Sequence, residues 1–178
     1  MSGHFRYFVE GECEKAFVKA FMFCDGDSFC EGQVEVFNFV NERFPITKAR
    51  TIQRESKIAI VVDTDVDNID ILEANIKTLE NVAMIVRDNI YIVLSINNFE
   101  DELVFSCSDI SNINQIFGTK GMNEFKNKFI KHNDLRNKLL KIGFDIVKIW
   151  SRNASNKFSK YNNDGKKIKE LHKQNYLD

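Results

Sequence analysis

The chain of 178 residues contains a single proline, Pro45, and only eight glycines. That scarcity leaves little room for a flexible linker and argues against separate, loosely joined domains. No uninterrupted apolar run reaches the roughly 18 residues that a membrane-spanning helix needs, so no span is expected. Met1–Glu10 has neither the length nor the apolar stretch of a secretion signal, so a cytoplasmic location is expected. The four cysteines, Cys13, Cys24, Cys30 and Cys107, form no Cys-x-x-Cys pair and match no zinc spacing, which reads as reduced thiols. The three histidines, His4, His132 and His172, have no Cys or carboxylate at ligand spacing. There is one tryptophan, Trp150. No internal repeat is visible.

Apolar residues make up 43% of the chain and sixteen are Phe, enough to fill a sizeable core at this length. The net charge of −1 conceals an asymmetry. Residues 1–118 carry 10 Lys/Arg and 20 Asp/Glu, a net of −10, and residues 119–178 carry 15 and 6, a net of +9. A basic tail of this kind suits a polyanionic partner, or else neutralises the acidic part within the fold.

The most informative stretch is Ile58-Ala59-Ile60-Val61-Val62-Asp63-Thr64-Asp65-Val66-Asp67. Its apolar run has the β-branched content of a strand buried on both faces, as in a parallel sheet. Such sheets gather their chemistry at the carboxyl ends of the strands. Three carboxylates at alternate positions repel one another unless a cation lies among them, and Mg²⁺ prefers carboxylate oxygen and water. The plainer reading is an acidic turn in which Asp67 caps the helix that follows.

Around it the pattern alternates. His4–Val9 reads as a strand, Glu12–Phe23 as a helix, Cys24–Gly32 as a loop and Gln33–Phe39 as a second strand. Thr47–Arg54 reads as a short helix, Ile58–Val62 as the central strand and Ile69–Leu79 as a helix. Val82–Val86 and Tyr91–Leu94 are two further apolar runs, and Asn98–Ser106 reads as a helix. This order predicts an α/β sheet with mainly parallel strands. Beyond Ser108 the chain becomes polar and then basic, with helical segments at Met122–His132 and Leu135–Ile142, a late strand at Phe144–Trp150 and a Lys-rich end at Lys157–Tyr176.

Two motifs combine. Val9-Glu10-Gly11 closes the first strand, and Asp63-Thr64-Asp65 closes the third. In a parallel sheet both ends lie on one edge, so Glu10 is expected to face Asp63 and Asp65. Together they resemble the TOPRIM domain of topoisomerases, primases and OLD-type nucleases, which carries a Glu after its first strand and an Asp-x-Asp after a later one. The resemblance covers residues 1–108. A narrower one joins Ser95–Phe105, through Asn97 or Asn98, Phe99 and Glu100, to the RloB-like branch of standalone TOPRIM proteins found with anti-phage and abortive-infection systems. That segment lacks a proline often present there, and Leu103-Val104-Phe105-Ser106 stands where the branch has Trp-Leu-Leu-His. A capped amphipathic helix explains the segment equally well.

The resemblance implies a TOPRIM-like (Rossmann-like) core over residues 1–108, and a basic, mainly helical C-terminal extension over 109–178 packed on it. It implies a Mg²⁺- or Mn²⁺-dependent nuclease acting on DNA or RNA in antiviral defence. Asp63 and Asp65 become metal ligands and Glu10 the proton-transfer or metal-bridging group, with Asp67 a further candidate ligand. Lys120 and Lys157 become candidate contacts to the nucleic-acid backbone. An ATPase partner and a homodimer are both compatible with it. Two other readings stay open. One is an Asp-dependent phosphohydrolase, for which Asp63-Thr64-Asp65 stands on the third strand rather than the first. The other is a catalytically silent regulatory or binding module with the same fold.

Overall fold

The computed structural model describes residues 4–22, 28–66 and 68–174. Cys24 and Asp67 lie outside the described residues, as do the first part of the expected loop after the first helix and the end of that helix. In chain order the first part contains β1 (Phe5–Val9), α1 (Glu12–Ala20), β2 (Gly32–Val36) and the short α2 (Ile46–Ala49). It continues with β3 (Lys57–Asp63), α3 (Ile69–Asn81), β4 (Ile90–Ser95) and α4 (Phe99–Phe105). Then follow α5 (Met122–Lys131), α6 (Leu135–Leu140) and α7 (Gly165–Gln174).

The four strands form one all-parallel sheet in the order β2-β1-β3-β4. The architecture is therefore α/β with helices flanking a parallel sheet. β3 is central, and its residues 58–62 are all apolar because both of its faces are covered. Ala59 and Val61 enter one core, where α1, α4, α5 and α6 contribute Phe17, Leu103, Phe125 and Leu139. Ile58, Ile60 and Val62 enter the other, against Leu72, Ile76 and Leu79 of α3 and the aromatic group Phe8, Phe39 and Phe44. The period-two alternation of the strand thus sorts its side chains between two hydrophobic layers.

Residues beyond 108 share the first of these cores. Phe144 and Trp150 pack on Phe17 of α1, with ring centroids 5.6 and 5.5 Å away. The outer edge of β4 is closed by side chains. Asp164 Oδ2 accepts from Ile92 N–H at 3.0 Å while the Asp164 N–H donates to Ile92 O at 2.9 Å. Asn163 repeats the arrangement on Leu94, at 3.1 and 2.9 Å. Two residues thereby imitate a neighbouring strand. No helix among the described residues is long and apolar enough to cross a membrane.

Of the two further apolar runs, Val82–Val86 forms no strand: α3 runs on to Asn81, Ala83 and Ile85 are buried, and Met84 takes a left-handed φ of 58° that interrupts an extended run. Two expectations require correction. Phe144–Trp150 is not a strand either. Only Phe144 makes a single bridge, to Cys107, and the apolar Phe144, Ile149 and Trp150 are buried in the core without strand pairing. β2 stops at Val36, short of Phe39, because Asn38 turns the chain there by accepting the N–H groups of Val40 and Asn41.

One ion pair locks the later chain to α4. Glu102 is fully buried. Its Oε1 accepts from Ile96 N–H at 3.0 Å and from Arg152 Nε and Nη2 at 3.0 and 2.7 Å. Its Oε2 accepts from Trp150 N–H at 3.0 Å. The Arg152 guanidinium also lies 4.2 Å from the centroid of the Phe105 ring. Removing one partner of such a pair leaves a buried charge uncompensated. Arg152→Ala is therefore expected to lower unfolding stability by about 3 kcal/mol, with Arg152→Lys recovering only part of it because the forked geometry is lost. Urea denaturation followed by far-UV circular dichroism measures both.

Candidate functional site

The chain leaves β1 toward one face of the sheet, through α1 to β2, and leaves β3 toward the other face, through α3 to β4. Strand order therefore reverses between β1 and β3, and the two departing connections open a crevice at their carboxyl ends. That is where open α/β sheets bind ligands. Glu10 follows the last residue of β1, and Asp63 is the last residue of β3.

Glu10 spans the crevice. Its Oε1 accepts the Asp63 backbone N–H at 3.0 Å, and its Oε2 accepts Asn38 Nδ2 at 2.9 Å. Both carboxylate oxygens are thus held by neighbouring strand ends, and the expected meeting of Glu10 with Asp63 is present. Gly11 is the N-cap of α1, and a Cβ there would lie 3.1 Å from Glu14 Oε2. The missing side chain lets Glu14, in the first turn of α1, fold back toward the cluster. Glu14 is buried, with 6% of its surface exposed.

Asp63 is directly paired in register with Ser95 of β4, which lowers the proton affinity of its carboxylate. Asp63 Oδ1 is buried and has no hydrogen-bond partner. The turn after it is fixed from outside. Thr64 N–H donates to Ser95 O, Asp65 N–H donates to Asn97 O, and Thr64 Oγ1 accepts Asn97 N–H, each at 3.0 Å. Asn97 adopts φ 63°, a left-handed backbone that Asn tolerates well. Asn156 Nδ2 donates to Thr64 O at 2.8 Å. Asp65 is exposed. Lys157 follows Asn156 in the chain, so the sequence places it next to this turn, in a 3-10 turn over Lys157–Lys160. Lys120 precedes α5, and its N–H donates to Glu124 Oε2 at 3.1 Å. Among the described residues no hydrogen bond or ion pair joins Lys120 to the acids.

Crowding and burial raise the proton affinity of these carboxylates. Glu10 is pushed up to about 7, chiefly by burial and also by Glu14 and Asp65, against the stabilising N–H of Asp63 and amide of Asn38. Glu14 rises to about 7 through burial and the charge of Glu100. Asp63 rises to about 8 through burial, then Glu10 and Glu14, with Ser95 opposing. A partial counter-charge comes from Lys126 of α5, whose Nζ lies 3.0 Å from Glu100 Oε1 and which lowers the proton affinity of Glu14.

This donor set has the chemistry of a hard-cation site: carboxylate oxygen throughout, with one buried oxygen unpartnered. Among the described residues, however, no group of three or more His, Cys, Asp and Glu side chains is placed to hold an ion. The two observations are compatible for Mg²⁺, which keeps several waters and usually takes only one or two protein carboxylates. Glu10, Asp63 and, on the rim, Asp65 stand at the strand ends that the sequence motifs name. The sequence did not single out Asn38, Lys126 or Asn156, which reach the site from distant positions with no motif of their own. Ser95 and Glu100 lay in the Ser95–Phe105 segment, but nothing there pointed to the acid cluster. Compared with known protein families, curated proteins and solved structures, the chain matches none.

The raised carboxylates make stability depend on pH. In the unfolded chain Glu and Asp titrate at ordinary values of 4.5 and 3.8, whereas in the fold Glu10, Glu14 and Asp63 hold protons up to about 7, 7 and 8. Across that window the native state binds more protons than the unfolded state, so unfolding free energy falls as pH rises and levels off above about pH 9. Denaturant midpoints of the metal-free protein between about pH 5 and 9 should show this decline, and Asp63→Asn and Glu14→Gln should each flatten it.

Proposed function

We propose that this chain is a Mg²⁺- or Mn²⁺-dependent nuclease of the TOPRIM type that cleaves phosphodiester bonds in DNA or RNA. The observation that carries the reading is the crossing of Glu10 from the end of β1 to the Asp63 N–H at the end of β3. It joins the Glu and the Asp-x-Asp of the two motifs at the reversal of strand order. The unpartnered Oδ1 of Asp63 beside other carboxylates supports a cation there.

In this reading Asp63 and Asp65 hold the cation. A bound Mg²⁺ neutralises charge on the scissile phosphate and lowers the pKa of a coordinated water. Glu10 has a proton affinity near neutrality, suited to taking up or releasing a proton during the reaction. Asn38 and the Asp63 N–H orient it. Lys157, on the segment that Asn156 ties to the Asp-Thr-Asp turn, is the better placed of the two candidate lysines to meet a phosphate. Asp67, the further candidate ligand, lies outside the described residues.

A role in anti-phage defence rests on the resemblance of Asn98-Phe99-Glu100. In the fold Asn98 caps α4 by accepting Asp101 N–H at 2.9 Å, Phe99 is buried in the core and Glu100 pairs with Lys126. Only Glu100 therefore acts on the acid cluster. The second reading is a catalytically silent binding module with this fold, favoured by the absence, among the described residues, of a ready-made three-ligand group.

Incubation with single- and double-stranded DNA and with total RNA separates the two readings. The nuclease reading expects cleavage that requires Mg²⁺ or Mn²⁺ and falls by at least about 100-fold in Glu10→Gln and Asp63→Asn, the scale of losing a general acid–base group. Metal-independent cleavage, or cleavage unchanged in both variants, would overturn it. No cleavage by the wild-type chain would favour the silent module.

A further inference from the structure

The register that pairs Asp63 with Ser95 brings a hydroxyl to the Asp63 carboxylate from within the protein, where Ser95 is fully buried. Behind Ser95 stands the only tryptophan of the chain. Trp150 Nε1–H donates to Ser95 Oγ at 3.2 Å. An indole nitrogen can only donate, and a serine hydroxyl has one proton. Ser95 Oγ therefore accepts from Trp150 and keeps its own proton, on the residue that the register sets beside Asp63. Any hydrogen bond between the two side chains can run only from Ser95 to the carboxylate.

Trp150 is held in place against a backbone cost. Its φ of 53° lies in the left-handed region, uncommon for so bulky a residue and often a mark of functional sites. Glu102 Oε2 fixes its N–H, and Phe17, Phe29 and Phe99 surround its ring with centroids 5.5, 5.5 and 6.5 Å away. Filling a core requires neither a left-handed backbone nor an indole N–H aimed at a serine beside the acid cluster.

We propose that Trp150 is a positioning residue of the acid cluster: acting through Ser95, it orients the Asp63 carboxylate and leaves Oδ1 unpartnered for a cation. The part concerning the cation rests on the reading of Asp63 as a metal-binding group. The part concerning orientation does not.

A single tryptophan gives a single indole N–H resonance, so the relay can be read directly in the ¹H–¹⁵N spectrum of the whole protein. Asp63→Asn and Ser95→Ala are each expected to shift that resonance. Mg²⁺ is expected to shift it saturably in the wild-type chain and not in Asp63→Asn. Mn²⁺ affinity gives a second readout. Ser95→Ala should weaken it about tenfold, in line with loss of a group that orients a metal ligand. Trp150→Phe, which keeps a ring in the core, should weaken it in the same direction, and the double variant should be no weaker than Ser95→Ala alone. An indole resonance unmoved by Asp63→Asn, or Trp150→Phe and Ser95→Ala losses that multiply, would overturn the proposal. A resonance that moves with Asp63→Asn in a protein that binds no Mn²⁺ would support the relay and sink the cation reading instead. Asp63→Asn preserves shape at the end of a strand, so it carries the test even if Ser95→Ala does not fold.

Discussion

One buried carboxylate holds the molecule's two halves in register. Glu102 has no exposed surface and takes four hydrogen bonds from three places along the chain: the loop after β4, the backbone of Trp150 and the guanidinium of Arg152. A buried charge is tolerable only when fully paired, so satisfying Glu102 requires these segments to arrive together. The acid cluster depends on that arrival. Ser95 lies one residue before the Ile96 amide that Glu102 fixes, and Trp150 is the residue whose N–H Glu102 accepts. Without this clamp, the β4–α4 loop that braces Thr64 and Asp65 has no reason to hold its position.

The crevice between β1 and β3 inverts the logic of the clamp. There the protein gathers Glu10, Glu14 and Asp63 and supplies less positive charge than they need. The hydrogen bonds that do reach them come from neutral donors: an amide of Asn38 and the backbone N–H of Asp63, both to Glu10. Neutral dipoles orient a carboxylate without cancelling its charge, which leaves the cluster hungry for a proton or a cation. Lys126 is close enough to be felt by Glu14, yet its ammonium is engaged by Glu100.

The parts legible in the sequence are those that rest on local pattern. Ile58–Val62 was readable as a doubly buried strand because an unbroken, mostly β-branched run has few other uses, and Glu10 and Asp63 were readable because each follows such a run. Asn98 was readable as a helix cap by the same local rule. The false strand at Phe144–Trp150 arose because burial alone imitates a strand: Phe144, Ile149 and Trp150 are apolar because α1 and its neighbours cover them, with no strand partner beside them. The overrun of β2 arose because Phe37 and Phe39 continue its apolar pattern past the turn that Asn38 makes. The residues around the acids were hidden for a different reason. Asn38, Ser95, Asn156 and Lys126 belong to common types in unremarkable contexts, and only the assembled sheet brings them together.

The side chains of Asn163 and Asp164 on the rim of β4 also bear on how copies of this protein can meet. A sheet recruits another strand through a vacant row of amides and carbonyls, and on that flank Ile92 and Leu94 are already occupied by their own chain. Among the described residues the opposite margin, β2, is paired with β1 alone. Strand addition on the β4 flank is consequently closed off by the chain itself, which bars an open fibre built by pairing copies through both margins of the sheet.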